Sequence, residues 1–265
     1  MCKDCGCSIT DHDHHHDHDT HHHDHGDHDH HSHTHHAAHE TLHHNPQLND
    51  SKTIAVIKKI LDKNDQEAHH NREHFNEHGV LAINLMSSPG SGKTRLLEKT
   101  LQMLGDKKKI SVLVGDQQTD NDAQRLMGKG GRVKQINTYS SCHLDASMIE
   151  KEIGPFITGE EEILIIENIG NLVCPASFEL GEKHKVALLS TTEGEDKPNK
   201  YPVLFHKASV VVITKSDLIP YLEWDLEKTK QNIRMINPNA RIILTSAKTG
   251  EGMSEWCDYL CQKNS

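Results

Sequence analysis

The chain has 265 residues, of which 26% are charged and 34% hydrophobic, with a formal net charge of -10. That length supports one sizeable domain with appendages. The acidic balance, with no basic stripe, argues against a nucleic-acid partner, and no run approaches the about 18 apolar residues of a membrane-spanning helix.

Charge and histidine are concentrated at the start. Residues 1–50 carry ten acidic side chains and one Lys, and 18 of the 25 histidines lie at or before His44. Met1-Cys2-Lys3-Asp4 leads into no apolar run, so no secretory signal is expected and a cytoplasmic location is. The seven cysteines are an odd count. They read as reduced thiols or metal ligands rather than disulfides. Cys2, Cys5 and Cys7 place three thiols at the head of the chain (1–7). Residues 8–50 then alternate His and Asp with almost nothing apolar. They cannot build a core and are expected to form a disordered His/Asp-rich tail that buffers metal. Asp, Ser and Thr interrupt the tract, unlike the clean His run of an expression tag.

Residues 51–79 are expected to be an N-terminal helical segment. Within "KTIAVIKKILDKNDQEAHHNREHFNEH" (52–78), the apolar positions Ile54, Ile57, Ile60, Leu61, Ala68 and Phe75 set a helical period, with a break expected near Asn64. From residue 80 to 265, short Val- and Ile-rich runs alternate with helical patterns: 80–86, 109–115, 162–168, 185–191, 209–215 and 240–246. Buried parallel strands have this composition. The fold class is therefore α/β: a mostly parallel sheet with helices on both faces; the loop that follows the first of these runs makes it of the P-loop NTPase kind.

After the first strand run comes "SSPGSGKTRLLEKTLQML", a glycine-rich turn opening a helix. Pro89, Gly90, Ser91, Gly92, Lys93, Thr94 and Arg95 form the expected phosphate cradle. Their backbone N–H groups wrap phosphates, helped by the positive end of the helix. Lys93 neutralises the β- and γ-oxygens, and the Thr94 hydroxyl holds Mg²⁺. The pattern G-x-x-x-x-G-K-S/T begins with glycine, and this chain has Ser87 there.

The run 209–215 leads into Thr214-Lys215-Ser216-Asp217, in the place of N-K-x-D. The Asp217 carboxylate would accept from guanine N1–H and the 2-amino group, and the Lys215 stem would cover the ring. Adenine offers no such donor pair, so GTP is favoured over ATP. Ser246, Ala247 and Lys248 match a loop that supports guanine, while Thr214 departs from the usual Asn.

Asp116 and Asp120 follow the second run, at the strand ends where α/β sheets bind ligands. One would hold Mg²⁺ or orient the attacking water. Glu167 stands where D-x-x-G has Asp, and Gly170 would give its N–H to the γ-phosphate. Lys93, Asp116, Asp120 and Glu167 are thus the catalytic candidates, with solvated loop ends as the other reading of the acids. No arginine is placed as a finger, so slow intrinsic turnover is expected. Cys142-His143 and Cys174 flank the same side; two thiolates and an imidazole suit Zn²⁺ or Ni²⁺. Cys257 and Cys261 read as core thiols.

"SSPGSGKT", "GDQQTDNDAQR", "CHLDA", "ENIGNLVCPA", "TTEGEDKPNKYP" and "TKSDL" occur in that order. Together, over roughly 52–265, they resemble the nickel-incorporation GTPases of NiFe-hydrogenase maturation, the HypB type. The Cys-His pair, the later Cys-Pro and "EGEDKP" separate that family from the urease GTPases. The resemblance implies a SIMIBI-class G domain that dimerises with GTP. It also implies an interface metal site at Cys142, His143 and Cys174, and a C-x-x-C-G-C nickel site at Cys2, Cys5 and Cys7. The partners it implies are a HypA-type nickel/zinc maturation protein and the hydrogenase large subunit. The expected function is a GTP-hydrolysing nickel metallochaperone. A nickel storage or detoxification protein and a zinc-delivery GTPase are the alternatives.

Overall fold

The computed structural model describes residues 51–117 and 121–262. Cys2, Cys5, Cys7, the tract 8–50 and Asp120 lie outside the described residues. The chain enters through α1 (Ser51–Glu77), then β1 (Leu81–Ser87), α2 (Lys93–Leu104), β2 (Ile110–Asp116), α3 (Asn121–Leu126) and β3 (Arg132–Asn137). It continues through α4 (Ala146–Phe156), β4 (Ile163–Gly170), α5 (Cys174–Ser177), β5 (His184–Ser190), α6 (Lys197–Lys200) and α7 (Pro202–Lys207). Last come β6 (Val210–Thr214), a 3-10 turn (Ser216–Tyr221), α8 (Leu226–Ile236), β7 (Arg241–Leu244) and α9 (Met253–Cys261).

All seven strands pair in parallel, in the order β3-β2-β4-β1-β5-β6-β7. The central strands are buried on both faces, which is why their sequences are apolar at nearly every position. Alternate residues of β1 enter different cores, as the two-residue period of a strand requires. Ile83 and Leu85 join Leu97 and Leu101 of α2 and Trp256 of α9. Ala82 joins Phe75 of α1 and Ile149 of α4, and Met86 joins Phe205 of α7 and Ile233 of α8. Helices therefore cover both faces, as expected. Cys257 of α9 is buried in the first of these cores, where burial pushes its thiol up to about 11.

Two expectations need correction. α1 is one unbroken helix of 27 residues. Asn64 does not break it, because its carboxamide is committed outside the helix. Nδ2 donates to Glu179 O and Oδ1 accepts from Ala146 N, both at 2.9 Å. Ala68 and Phe75 are buried as the period predicts, but Ile54 and Ile60 are exposed at 53% and 38%. β3 escaped the sequence reading. Among the described residues it is an edge strand, and Arg132, Lys134, Gln135 and Asn137 give it no apolar run. No helix among the described residues is long and apolar enough to cross a membrane.

One buried ion pair supports the centre of the fold. Lys185 of β5 binds Glu182, which also accepts from Leu180 N at 2.7 Å and Asn84 Nδ2 at 3.1 Å. Burial pushes the Glu182 carboxyl up, but Lys185 and these hydrogen bonds outweigh it and hold its pKa below the usual carboxylate range. Glu182 thus stabilises the fold above its ordinary pKa and loses that contribution as pH falls through the lowered one. Lys185→Met leaves a buried, unpaired carboxylate. It is expected to cost about 3–5 kcal/mol at pH 7 in urea unfolding. The deficit should shrink as pH is lowered toward the normal carboxylate range, where the unpaired acid is protonated. A deficit that stays constant with pH would mean that packing, not charge, is what Lys185 supplies.

Candidate nucleotide and metal site

β1 ends at Ser87 and the chain turns through residues 88–92 into α2. Gly90 and Gly92 take φ of 73° and 98°, which only glycine adopts freely. Gly92 caps α2 without a side-chain hydrogen bond. The first-turn N–H groups, at the positive end of the helix, are left for an anion. Ser87, the departure from the motif, has a use: its hydroxyl accepts from Lys93 Nζ at 2.9 Å and from Ser91 Oγ. Burial lowers the pKa of Lys93, against the pull of Glu167, Asp122 and Glu193.

β4 lies beside β1 and brings Glu167 to the same loop. Thr94 Oγ1 donates to Glu167 Oε1 at 2.8 Å. Glu167 Oε2 is buried and has no hydrogen-bond partner among the described residues. Burial pushes the Glu167 carboxyl up to about 7, with Lys93 and Thr94 pulling the other way. An unused carboxylate oxygen beside a hydroxyl is a donor set that fits Mg²⁺. Gly170 closes on the loop from the same strand: a Cβ there would lie 2.9 Å from Pro89 Cα. Asp116 ends β2, with Gln117 N donating to its Oδ1 at 2.6 Å. Arg95 turns along α2 to Glu98, at 2.9 Å, where Arg125 also binds at 3.2 Å.

Three groups at this site were not singled out by sequence. Asp122 acts electrostatically on both Lys93 and Glu167. Glu193 Oε2 accepts from Ser88 Oγ at 3.2 Å, and Lys197 Nζ reaches the same hydroxyl at 3.3 Å. The last two lie in "TTEGEDKPNKYP", whose presence was noted but whose roles no single-residue pattern announces.

The residues expected from sequence to recognise the base converge from the ends of β6 and β7. Lys215 sits in a left-handed conformation, φ 60°, and its Nζ donates to Gly90 O at 2.9 Å. Thr214, in place of Asn, donates to Ser91 O at 2.7 Å and ties the strand end to the phosphate loop. Ser246 Oγ donates to Asp217 Oδ1 at 2.6 Å, and Lys248 Nζ lies 4.0 Å from Oδ2. Ser246-Ala247-Lys248 and Thr214–Asp217 thus lie side by side, with Thr214 and Lys215 bonded to the 88–92 loop.

Beyond Gly170 the chain reaches Cys174 in four residues. The Sγ atoms of Cys174 and Cys142 are 3.0 Å apart, and Cys142 Sγ is 3.8 Å from His143 Nδ1. The three ligand atoms lie within 4.8 Å of one another. Both cysteines are free thiols, since a disulfide would need about 2.05 Å. His143 is buried against the Phe178 ring, centroids 3.9 Å apart. Burial lowers its pKa, opposed by Asp145, which favours the neutral imidazole that a metal takes.

A single carboxamide joins the two halves. Asn168, adjacent to Glu167, accepts through Oδ1 from Leu144 N at 3.2 Å and Ile169 N at 2.9 Å. Its Nδ2 donates to Asn84 Oδ1 at 3.2 Å, and Asn84 in turn binds Glu182. Asn168 therefore holds the loop of Cys142-His143 against the strand that carries the Mg²⁺ and γ-phosphate candidates.

Residues 81–244 match the model of the CobW/HypB/UreG nucleotide-binding domain. The chain belongs to the CobW/HypB/UreG family. It is 48% identical over 217 residues to the hydrogenase maturation factor HypB of Azotobacter vinelandii, covering 82% of this chain and 72% of that protein. It is 50% identical over 217 residues to the HypB of Escherichia coli K12, covering 82% and 75%. Among solved structures, HypB from Helicobacter pylori in complex with nickel superposes with a TM-score of 0.73 at 39% identity, covering 76% of this chain and 94% of that one. The family and the α/β fold expected from sequence are both borne out.

Proposed function

We propose that the protein is a GTP-hydrolysing nickel metallochaperone that binds, stores and delivers nickel for assembly of the NiFe-hydrogenase active site. The observation that carries the reading is the short path from Gly170, pressed against the phosphate loop, to Cys174, in contact with Cys142. The likeness to HypB proteins, one of them solved with nickel, supports it.

In this reading the loop from Pro89 to Arg95 binds the triphosphate, with Lys93 offsetting charge at the β- and γ-oxygens. Asp217 selects guanine, with Lys215 along the ring and Ser246, Ala247 and Lys248 behind it. Thr94 and Glu167 hold Mg²⁺, which when bound neutralises the phosphate charge that develops on cleavage. Asp116 or Asp120 orients the attacking water. Gly170 N–H meets the γ-phosphate and moves when it leaves. That movement carries Leu172 and Cys174 with it and changes the affinity of the Cys142/His143/Cys174 set for Ni²⁺ or Zn²⁺. The protein acts as a GTP-dependent homodimer, with a HypA-type protein and the hydrogenase large subunit as partners. Cys2, Cys5 and Cys7 form a separate nickel motif, 8–50 a metal buffer, 51–79 an N-terminal helical segment and 80–265 the G domain. The 18 histidines up to His44 favour, as a second reading, a storage protein whose G domain is secondary.

Calorimetric Ni²⁺ titration of the fragment from Lys52 onward, with GDP and then a non-hydrolysable GTP analogue, separates the two. A metallochaperone switch is expected to show at least about a 5-fold change in affinity between the nucleotides, the lower end of ordinary coupling. Identical isotherms would leave storage as the function and remove the switch.

A further inference from the structure

Seven histidines remain after the N-terminal tract, and four of them fall between residues 69 and 78. Two of these are one turn apart at the end of α1: His74 lies in its last turn and His78 is the residue just past it, whose N–H still donates to His74 O at 3.2 Å. Their rings lie with centroids 4.3 Å apart. Glu77 completes the group: one ligand atom from each of His74, Glu77 and His78 lies within 4.8 Å of the others.

The rings are prepared as ligands. His78 Nδ1 lies 2.9 Å from His74 O, an acceptor only, so Nδ1 carries the proton and Nε2 keeps its lone pair. A ring nitrogen fixed in this way by a backbone carbonyl is the usual outer support of a metal-bound imidazole. The Gly159 turn packs against the same ring; a Cβ at that glycine would stand 3.4 Å from His78 Cδ2. His74 Nε2 is buried and has no hydrogen-bond partner among the described residues. Two tilted imidazoles, one with an unmatched buried nitrogen, and a carboxylate beside them thus bring three ligand types together.

We propose that His74, Glu77 and His78 form a second divalent-metal site on the folded body, for a borderline cation of the Zn²⁺ or Ni²⁺ class. Two nitrogens and one carboxylate oxygen suit such ions, and hard Mg²⁺ is disfavoured by the imidazoles. The site is separate from the cysteine cluster. Leu61 lines one pocket with Cys174, and His74, on the same helix, lies 13 residues further along, about 20 Å at 1.5 Å per residue. His78 stands three residues before β1, at the N-terminal end of that central strand, whereas the phosphate loop follows its C-terminal end. The occupancy of the site therefore does not follow the nucleotide.

The test is thermal unfolding of the full-length protein with and without Zn²⁺, comparing wild type, His78→Ala and Glu77→Gln. The cysteines and the N-terminal histidines are intact in all three, so their contribution cancels. At Zn²⁺ about 100 times the Kd of the site, the wild type is expected to gain about 5–10 °C more than His78→Ala. Glu77 is exposed, so Glu77→Gln folds normally, and it should lose part of the gain. Equal Zn²⁺-induced gains in all three proteins overturn the site.

Discussion

Asp217→Asn is expected to lower GTP affinity by about 10²–10⁴-fold. The estimate follows from two hydrogen bonds to a charged carboxylate at about 1.5–3 kcal/mol each. Guanine presents N1–H and a 2-amino group, both donors, so a carboxylate satisfies them and a carboxamide repels one. Xanthine presents N1–H and a carbonyl oxygen, which the Asn amide matches. The variant should therefore bind xanthosine triphosphate better than GTP, a reversal of base choice without any change in the phosphate loop. The backbone there has no reason to move: Ser246 Oγ donates to Asp217 Oδ1, and an amide oxygen accepts the same bond. Displacement of a fluorescent nucleotide by GTP and by xanthosine triphosphate reads both affinities. Unchanged GTP affinity would remove Asp217 from base recognition and, with it, the preference for guanine.

Cys174→Ala should abolish nucleotide-dependent metal binding in the fragment from Lys52 onward, lowering Ni²⁺ affinity by at least about 100-fold. Loss of an outer hydrogen bond to a metal ligand already costs 10–100-fold, and here a ligand itself goes. The smaller side chain leaves a modest space beside Phe178 and Leu61, so the fold should survive. GTP binding should persist, because Lys93, Glu167 and Asp217 are untouched. A variant that keeps wild-type Ni²⁺ affinity and its nucleotide response would exclude the Cys142/His143/Cys174 cluster as the responsive site.

Much of this architecture is written in strand composition. β1, β2, β4, β5 and β6 are interior strands built largely of apolar residues, β7 is an edge strand that keeps the run Ile242-Ile243-Leu244, and the expected bounds of all six lie within two residues of those observed. β3 is different because, as the other edge strand, it has one neighbour, and its residues Arg132, Lys134, Gln135 and Asn137 leave no continuous apolar run to read. Asn64 shows the other limit. Local propensity sees a helix-breaking carboxamide, whereas the carbonyl and amide that satisfy it come from residues 179 and 146. At the site, the motif residues were legible, but the meaning of the departures was not. Ser87 and Thr214 look like weakened motif positions until their hydroxyls are seen bracing Lys93 and the Ser91 carbonyl. Asp122 and Glu193 act through space on Lys93, and no spacing rule encodes that.

The Asn168 carboxamide has a further consequence. Because it bonds Leu144 N, next to Cys142-His143, and sits beside Glu167, it places the proposed metal and nucleotide sites within one residue's reach of each other. Linkage between equilibrium binding events has no direction: whatever factor GTP applies to nickel affinity, nickel must apply to GTP affinity. In the proposed function the cargo would then also be an effector. Metal-loaded and metal-free chains would then differ in equilibrium affinity for guanine nucleotide, so the nucleotide-bound fraction would report on nickel loading.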